Sequence, residues 1–384
     1  MAGPRINYQP VAGAFELTER LLATAHTDYD IKYQGYLANH LPHGMYTLSA
    51  LGASTARLQE FNHMYVKRLE PISESKTIID STNWAANIGT QNLYSDYMRF
   101  FDSEVNTKGF KATFELYFSR IMGESLGAAL HPLINVGYAM EFSNPMLLSE
   151  GLAYICVKPL KDTQRILNDD NHSVQPNAAT TVYDLIEELQ AMQFPQACNE
   201  SWSFSEKREH LLNTQWIIFK DLIAKWDLSR GDLLSAKLNE LTEASILGVF
   251  GTYPKQIDFF LVHGLTGNHA VRVLFPYLSE TLQRQLLKVN LLGLLTACAV
   301  QECPKIDVGL ATGYKPEETT TWDKIIEKAI SIDEEHVMKV VRTVVYYMEY
   351  VPLSQRSTIF TDSFLKHCAF RMVDLVQNHD DYKF

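Results

Sequence analysis

The sequence predicts an all-α protein, a large multi-helix bundle with long polar loops. Three observations predict it. Apolar residues recur three and four positions apart along most segments, which lines them up on one helix face. Residues 282 to 300, with Leu282, Leu286, Leu287, Leu291, Leu292, Leu294 and Leu295, are apolar almost all round, as a helix at the centre of a bundle would be. Short alternating strands with hairpin turns are missing, and so is a regular β-then-α rhythm. The 384 residues could make one large domain or two to three ordinary ones. With no Gly/Ser-rich linker and no internal repeat, a single helical domain over residues 1–384 is expected.

Along the chain, Phe15 to Ala25 is the first amphipathic helix. Asn39-His-Leu-Pro-His43-Gly opens a second, with Met45, Leu48 and Leu51 on its face and Pro42 tolerable only in its first turn. Phe110, Phe114, Tyr117, Phe118 and Ile121 have helical spacing, and His131-Pro132 marks another helix start. Val182 to Phe194 repeats the amphipathic pattern. Ile257 to His263 is an apolar run before Gly264. Ser331-Ile-Asp-Glu334 has the spacing of a capping box, opening a helix through about Tyr350. The polar stretches 158–180 and 305–321 are the expected long loops.

Composition excludes several functions. There are 34 basic and 45 acidic side chains, a formal charge of -11, and no Lys/Arg run, so nucleic acid is not an expected partner. Cys156, Cys198, Cys298, Cys303 and Cys368 are odd in number and lack C-x-x-C spacing, which argues against a disulfide framework or zinc ribbon and for a reducing compartment. Met1 to Asn7 lacks the apolar core of a signal peptide. The longest apolar run, Val289 to Val300, is about twelve residues, short of the roughly 20 that cross a bilayer. A cytoplasmic protein with no membrane partner is expected.

Gly123-Glu-Ser125-Leu-Gly127 matches the G-x-S-x-G elbow of serine hydrolases, which needs a strand before it and a helix after it. The helical spacing upstream and the lack of an HGGG-type segment favour a helix break or small-residue packing site instead. Neither a G-x-G-x-x-G after a strand nor a G-x-x-x-x-G-K-[ST] occurs, so the usual dinucleotide and nucleotide cradles are missing.

The 12 histidines carry the functional signal. His40 and His43, three apart on one face, His131, His263 and His336 all fall in apolar helical segments rather than on polar loops. Bundles build metal sites from side chains on facing helices, and imidazole suits iron, copper or zinc. These segments hold almost no carboxylate, which a non-haem iron centre normally includes. Lys339, one turn after His336, can supply the anion: a lysine kept neutral by burial adds carbon dioxide to become a carbamate.

The same segments resemble the questin oxidase-like family. The resemblance rests on Asn39-His-Leu-Pro-His43 with Ala50-Leu-Gly-Ala-Ser54, His131-Pro-Leu-Ile with Gly137-Tyr and Glu141-Phe, Ile257-Asp-Phe-Phe-Leu-Val-His263, and Glu335-His-Val-Met-Lys-Val-Val-Arg342. It implies a helical fold and an oxygen-dependent oxidoreductase of secondary metabolism that opens quinone rings of aromatic polyketides, with a Baeyer–Villiger-like outcome. It also implies a non-haem iron(II) centre held by His43, His131, His263, His336 and carboxylated Lys339, with His40 as the alternative to His43. The implied partners are O2 and a small aromatic or quinone-like substrate, with electrons from NADPH or from the substrate itself. Asn135 departs from the family, many of whose members have a histidine there. Tyr46, Tyr138, Asn135 and His269 are pocket candidates, and Phe260 is a further aromatic beside the ligands. The competing readings are a serine hydrolase using Ser125 and a non-catalytic helical ligand-binding protein.

Overall fold

A computed structural model describes residues 11–167, 174–192, 201–317 and 319–378. The leader reading of Met1 to Asn7, residue Cys198, the Phe194 end of the second amphipathic pattern and parts of both expected loops lie outside the described residues. Fifteen helices of ten or more residues dominate, and the sole sheet among the described residues is a hairpin of two-residue strands, Lys32–Tyr33 and Leu37–Ala38. The expected all-α class is what forms.

Four helices make the frame of the site: Leu41–Ala50, His131–Phe142, Phe259–Leu274 and Glu335–Tyr350. The first packs on the second and fourth, and the third packs on the second and fourth, closing a ring. Outer helices cover it. Leu234–Phe250 and Glu280–Val300 lie on Phe259–Leu274, Asp362–Asn378 on Glu335–Tyr350, Pro145–Val157 on His131–Phe142, and Ala14–Asp28 on Leu41–Ala50. One cluster of buried apolar side chains runs from Ala14 to Leu375. In Glu280–Val300 the six leucines from Leu286 to Leu295 are at most 2% exposed, each contributing roughly 1.5–3 kcal/mol of transfer free energy.

Several expected elements differ in detail. Ser331 does not open the last site helix; it ends the helix Trp322–Ser331, and its hydroxyl donates to the Lys328 carbonyl at 2.8 Å. Glu334 is the N-cap instead, accepting from the His336 amide at 3.1 Å. Reciprocal capping boxes form at Thr181/Asp184 and Ser203/Glu206. The Phe110–Ile121 stretch winds as α, then π over Phe114–Phe118, then α. The two expected loops also contain short helices, Gln164–Leu167 and Val308–Gly313.

A buried ionic triad ties three outer helices together. His26 Nδ1 meets Glu150 at 2.7 Å and Nε2 meets Asp102 at 3.2 Å. Burial pushes the imidazole toward neutrality, but the two carboxylates outweigh it and raise the group to about 10. Its stabilisation is therefore complete below the unfolded value near 6.5 and is lost as pH rises through about 10. His26→Leu strands both carboxylates, and Asp102, a third exposed, is partly screened by water. The variant is expected to lose about 3 kcal/mol at pH 6. Urea unfolding should show the gap to wild type closing toward pH 10; an equal gap at both pH values contradicts the charged-histidine account.

Candidate metal centre

The chain delivers His40 to the ring interior through local hydrogen bonding. Asn39 Nδ2 donates to the Asp30 carbonyl at 3.2 Å, and Asn39 Oδ1 accepts from the Leu41 amide at 3.0 Å. This pins His40 as the N-cap of Leu41–Ala50, with Pro42 in the first turn.

His131 is delivered by strain. Ala128, Ala129 and Leu130 have φ of 43°, 53° and 68°, three consecutive non-glycine residues in the left-handed region, at a cost of order 1 kcal/mol or more each. The turn ends with the His131 ring hydrogen-bonded to the Ala128 carbonyl through Nδ1. Packing holds it there: a Cβ on Gly267 would stand 2.7 Å from Leu130, and one on Gly293 3.5 Å.

His263 sits one turn into Phe259–Leu274, whose start is fixed by Asp258 accepting from the Phe260 and Leu261 amides at 2.9 Å. Its Nδ1 donates to the Phe259 carbonyl at 2.7 Å. His336 occupies the first turn of its own helix, with Nδ1 2.6 Å from Glu334 Oε1.

Ring nitrogens of these four buried histidines lie within 4.8 Å of one another. Successive Nε2 separations are 2.6 Å (His40 to His131), 3.1 Å (His131 to His263) and 3.3 Å (His263 to His336). Carbonyl oxygens only accept, so His131 and His263 must carry their protons on Nδ1. Burial holds His131 down to about 3 and the other three well below the usual imidazole range. The rings are thus neutral, and bare Nε2 lone pairs of His131 and His263 face each other across 3.1 Å. Such an arrangement repels unless a cation sits among the nitrogens. Two nitrogens bound side by side to one metal, at about 2.1 Å each, stand about 3 Å apart. The donor set fits a transition metal.

His43, expected among the ligands with His40 as its alternative, lies one step outside. Its Nε2–H donates to Asn135 Oδ1, its ring stacks on Tyr138 at 5.0 Å, and its Nδ1 has no partner among the described residues. It is His40 that joins the cluster. Asn135, one turn after His131, therefore has a defined task in holding His43, although its own Nδ2 is left without a partner.

Lys339 is 1% exposed and its Nζ has no hydrogen-bond partner among the described residues. Burial lowers it to about 8, with Glu335 and Glu334 pulling back upward, and its charge acts on His40, His43, His131, His263 and His336.

Two residues that the sequence offered only as a helix cap and a motif member, with no role at the site, matter here. Glu334 holds the His336 ring, and Glu335 Oε1 lies 3.4 Å from His40 Nδ1. Burial first, then Glu334, raises Glu335 to about 7. Carboxylates on the outer nitrogens of ligand histidines fix tautomer and raise basicity. Their signal was the contiguous Glu334-Glu335-His336 itself.

The other candidates scatter. Tyr138 bonds Thr47 Oγ1 at 2.7 Å beside His43. Tyr46 belongs to a separate network with Glu19 and Asn144 and stacks on Phe142 at 4.2 Å. His269 meets Glu141 at 3.1 Å, next to the Arg342–Glu141 ion pair, in which Arg342 and His269 outweigh burial and hold Glu141 at about 2. Phe260 stacks on Phe204, and it is Phe259 that touches the centre, 4.4 Å from His263 and 5.0 Å from His336. Ser125 is buried in a 3₁₀ turn and its hydroxyl donates to the Met122 carbonyl at 2.7 Å. A Cβ on Gly127 would meet the Lys158 carbonyl oxygen at 1.6 Å, so the Gly-x-Ser-x-Gly string is a packing site.

A ring of four helices thus closes around a buried tetrahistidine cluster that could hold a metal ion. The questin oxidase-like family model matches residues 37–344, which contain every cluster residue, and the chain belongs to that family. It is similar to the oxidoreductase AflY of Aspergillus parasiticus, 26% identical over 79% of this chain and 66% of that protein. It is 24% identical to the Baeyer-Villiger oxidase ptaJ of Pestalotiopsis fici over 86% of this chain and 80% of the relative. The questin oxidase of Aspergillus terreus is also 24% identical, over 88% and 81%. No helix of the described residues is long and apolar enough to cross a membrane.

Proposed function

We propose that this oxidoreductase is a non-haem iron oxygenase that oxidises and cleaves a ring of a polycyclic aromatic or anthraquinone-type polyketide. The observation that carries the metal assignment is the convergence of four neutral imidazoles whose outer nitrogens are already occupied. The relatives' names, questin oxidase and Baeyer-Villiger oxidase, support the reaction class.

His40, His131, His263 and His336 would hold the metal. When bound, iron supplies redox chemistry with dioxygen. The protein's own residues do the rest. Glu334 and Glu335 orient the rings of His336 and His40. Lys339, lowered by burial to about 8, adds carbon dioxide through its deprotonated fraction: the amine lone pair forms the N–C bond, a proton leaves, and the carbamate brings one negative charge to an otherwise neutral donor set. Inserting one oxygen atom beside a ring carbonyl and reducing the other to water takes two electrons, for which NADPH is the proposed donor. Phe259 and the surrounding apolar helices exclude water from the centre.

Metal analysis tests the reading. Protein made in iron-supplemented medium is expected to carry about one iron per chain, and no bound transition metal would remove the proposal. Supplying carbon-13 bicarbonate should give a carbamate resonance that Lys339→Met abolishes; a wild type without that resonance leaves Lys339 outside the donor set.

A further inference from the structure

A guanidinium is costly to bury without acceptors. Other buried arginines here obey that rule. Arg356 donates to the carbonyls of Val351 and Met348, Arg371 to those of Phe250 and Tyr253, and Arg342 to Glu141. Arg208 does not. It is 2% exposed, and neither Nε nor Nη1 has a hydrogen-bond partner among the described residues.

Its surroundings lead to the metal centre. The Arg208 Cζ lies 5.2 Å from the Phe204 ring centroid, and Phe204 stacks on Phe260 at 3.8 Å and 5°. Phe260 sets its edge against Phe259 at 5.1 Å, and Phe259 touches the rings of His263 and His336. The helix that carries Arg208, Phe204–Thr214, packs against the Ala128–Leu130 turn that positions His131. Phe259 and Phe260 are themselves only half-buried, so this aromatic row joins the cluster to the surface. Phe204 and Phe260 cover each other's facing sides and Arg208 lies over Phe204, so it is the remaining edges of this row, beside a cation with two unused donors, that match a flat ligand with an oxygen anion at one edge.

We infer that Arg208 anchors a phenolate or hydroxyquinone enolate oxygen of a planar aromatic ligand whose ring lies against Phe204 and Phe260. This rests on the aromatic substrate class proposed above and adds the residue that selects for an acidic hydroxyl. Arg208 binds the ligand without taking part in the redox step.

The test uses the purified, metal-containing protein and two probes, alizarin (1,2-dihydroxyanthraquinone) and unsubstituted 9,10-anthraquinone, titrated by quenching of tryptophan fluorescence. Wild type is expected to prefer alizarin at least ~10-fold, the size of one charge-assisted hydrogen bond. Arg208→Gln should erase the preference by weakening alizarin alone, Arg208→Lys should keep part of it, and iron content and Tm should stay at or above wild type. Retained preference in Arg208→Gln overturns the inference. So does equal weakening of both probes with a lowered Tm, which is the signature of a structural arginine. Iron content separates the two proposals: an iron-free protein whose alizarin preference still depends on Arg208 removes the oxygenase reading and keeps this one. An iron-loaded protein whose preference ignores Arg208 does the reverse.

Discussion

His40→Ala is expected to strip iron from the purified protein and lower turnover at least ~10³-fold, whereas His43→Ala keeps iron near one per chain and loses roughly 10-fold. The two histidines are three apart on one helix face, so the comparison is demanding. It follows from where their nitrogens point. His40 Nε2 is 2.6 Å from His131 Nε2, while His43 Nε2 is engaged by Asn135. Removing His40 deletes a donor and frees Glu335 from the His40 ring nitrogen at 3.4 Å. Removing His43 leaves all four converging nitrogens in place and takes away its stack on Tyr138, its bond to the Asn135 carbonyl and its edge contact with the His40 ring at 5.6 Å. The checks are metal content by elemental analysis and single-turnover oxidation of an anthraquinone substrate. Iron retained by His40→Ala, or lost from His43→Ala, reverses the assignment of the first ligand.

The helical class was legible because the site segments carry apolar residues at helical spacing, and Pro132 announced the helix start at His131; that Asp258 and Glu334 cap the helices of His263 and His336 shows only in the structure. The choice between His40 and His43 was not legible. Period alone puts both inward; what separates them is the Asn39 hydrogen bonding and the hairpin before it, which join residues on different elements. Ser331 misled for a related reason. A Ser-x-x-Glu string has the same spacing at the end of one helix as at the start of the next, and Ile332 and Asp333 turn out to be the connection. Arg208 lay in Lys207-Arg208-Glu209, which reads as a solvated charged face until the Phe204–Phe260 stack shows that its middle member faces inward.

Gly137→Ala tests how closely the fold sets the centre. A Cβ at Gly137 would stand 2.4 Å from Ala270 Cβ and 2.7 Å from Ala270 Cα. Carbon atoms need about 3.5 Å or more, and Ala270 has no flexible side chain to turn aside. The helices His131–Phe142 and Phe259–Leu274 must therefore part by about 1 Å. Their paired histidines lie six and seven residues before this contact, at the N-terminal ends of both helices, so the two run side by side in one direction. Roughly 10 Å separates the contact from the cluster along the axis. A rigid helix carries most of the displacement to His131 and His263, whose nitrogens are only 3.1 Å apart. The variant is expected to lose 1–3 kcal/mol of stability from overpacking and about 10- to 100-fold in metal affinity from the widened donor set. Gly248, in the interior of Leu234–Phe250, is the control. A Cβ there meets nothing within 4 Å, so Gly248→Ala should gain about 0.5–1 kcal/mol of helix propensity with unchanged iron content. Thermal unfolding with and without chelator separates the two contributions, because the chelated proteins report overpacking alone. If Gly137→Ala matches wild type in both states, the close helix contact does not set the spacing of the histidines.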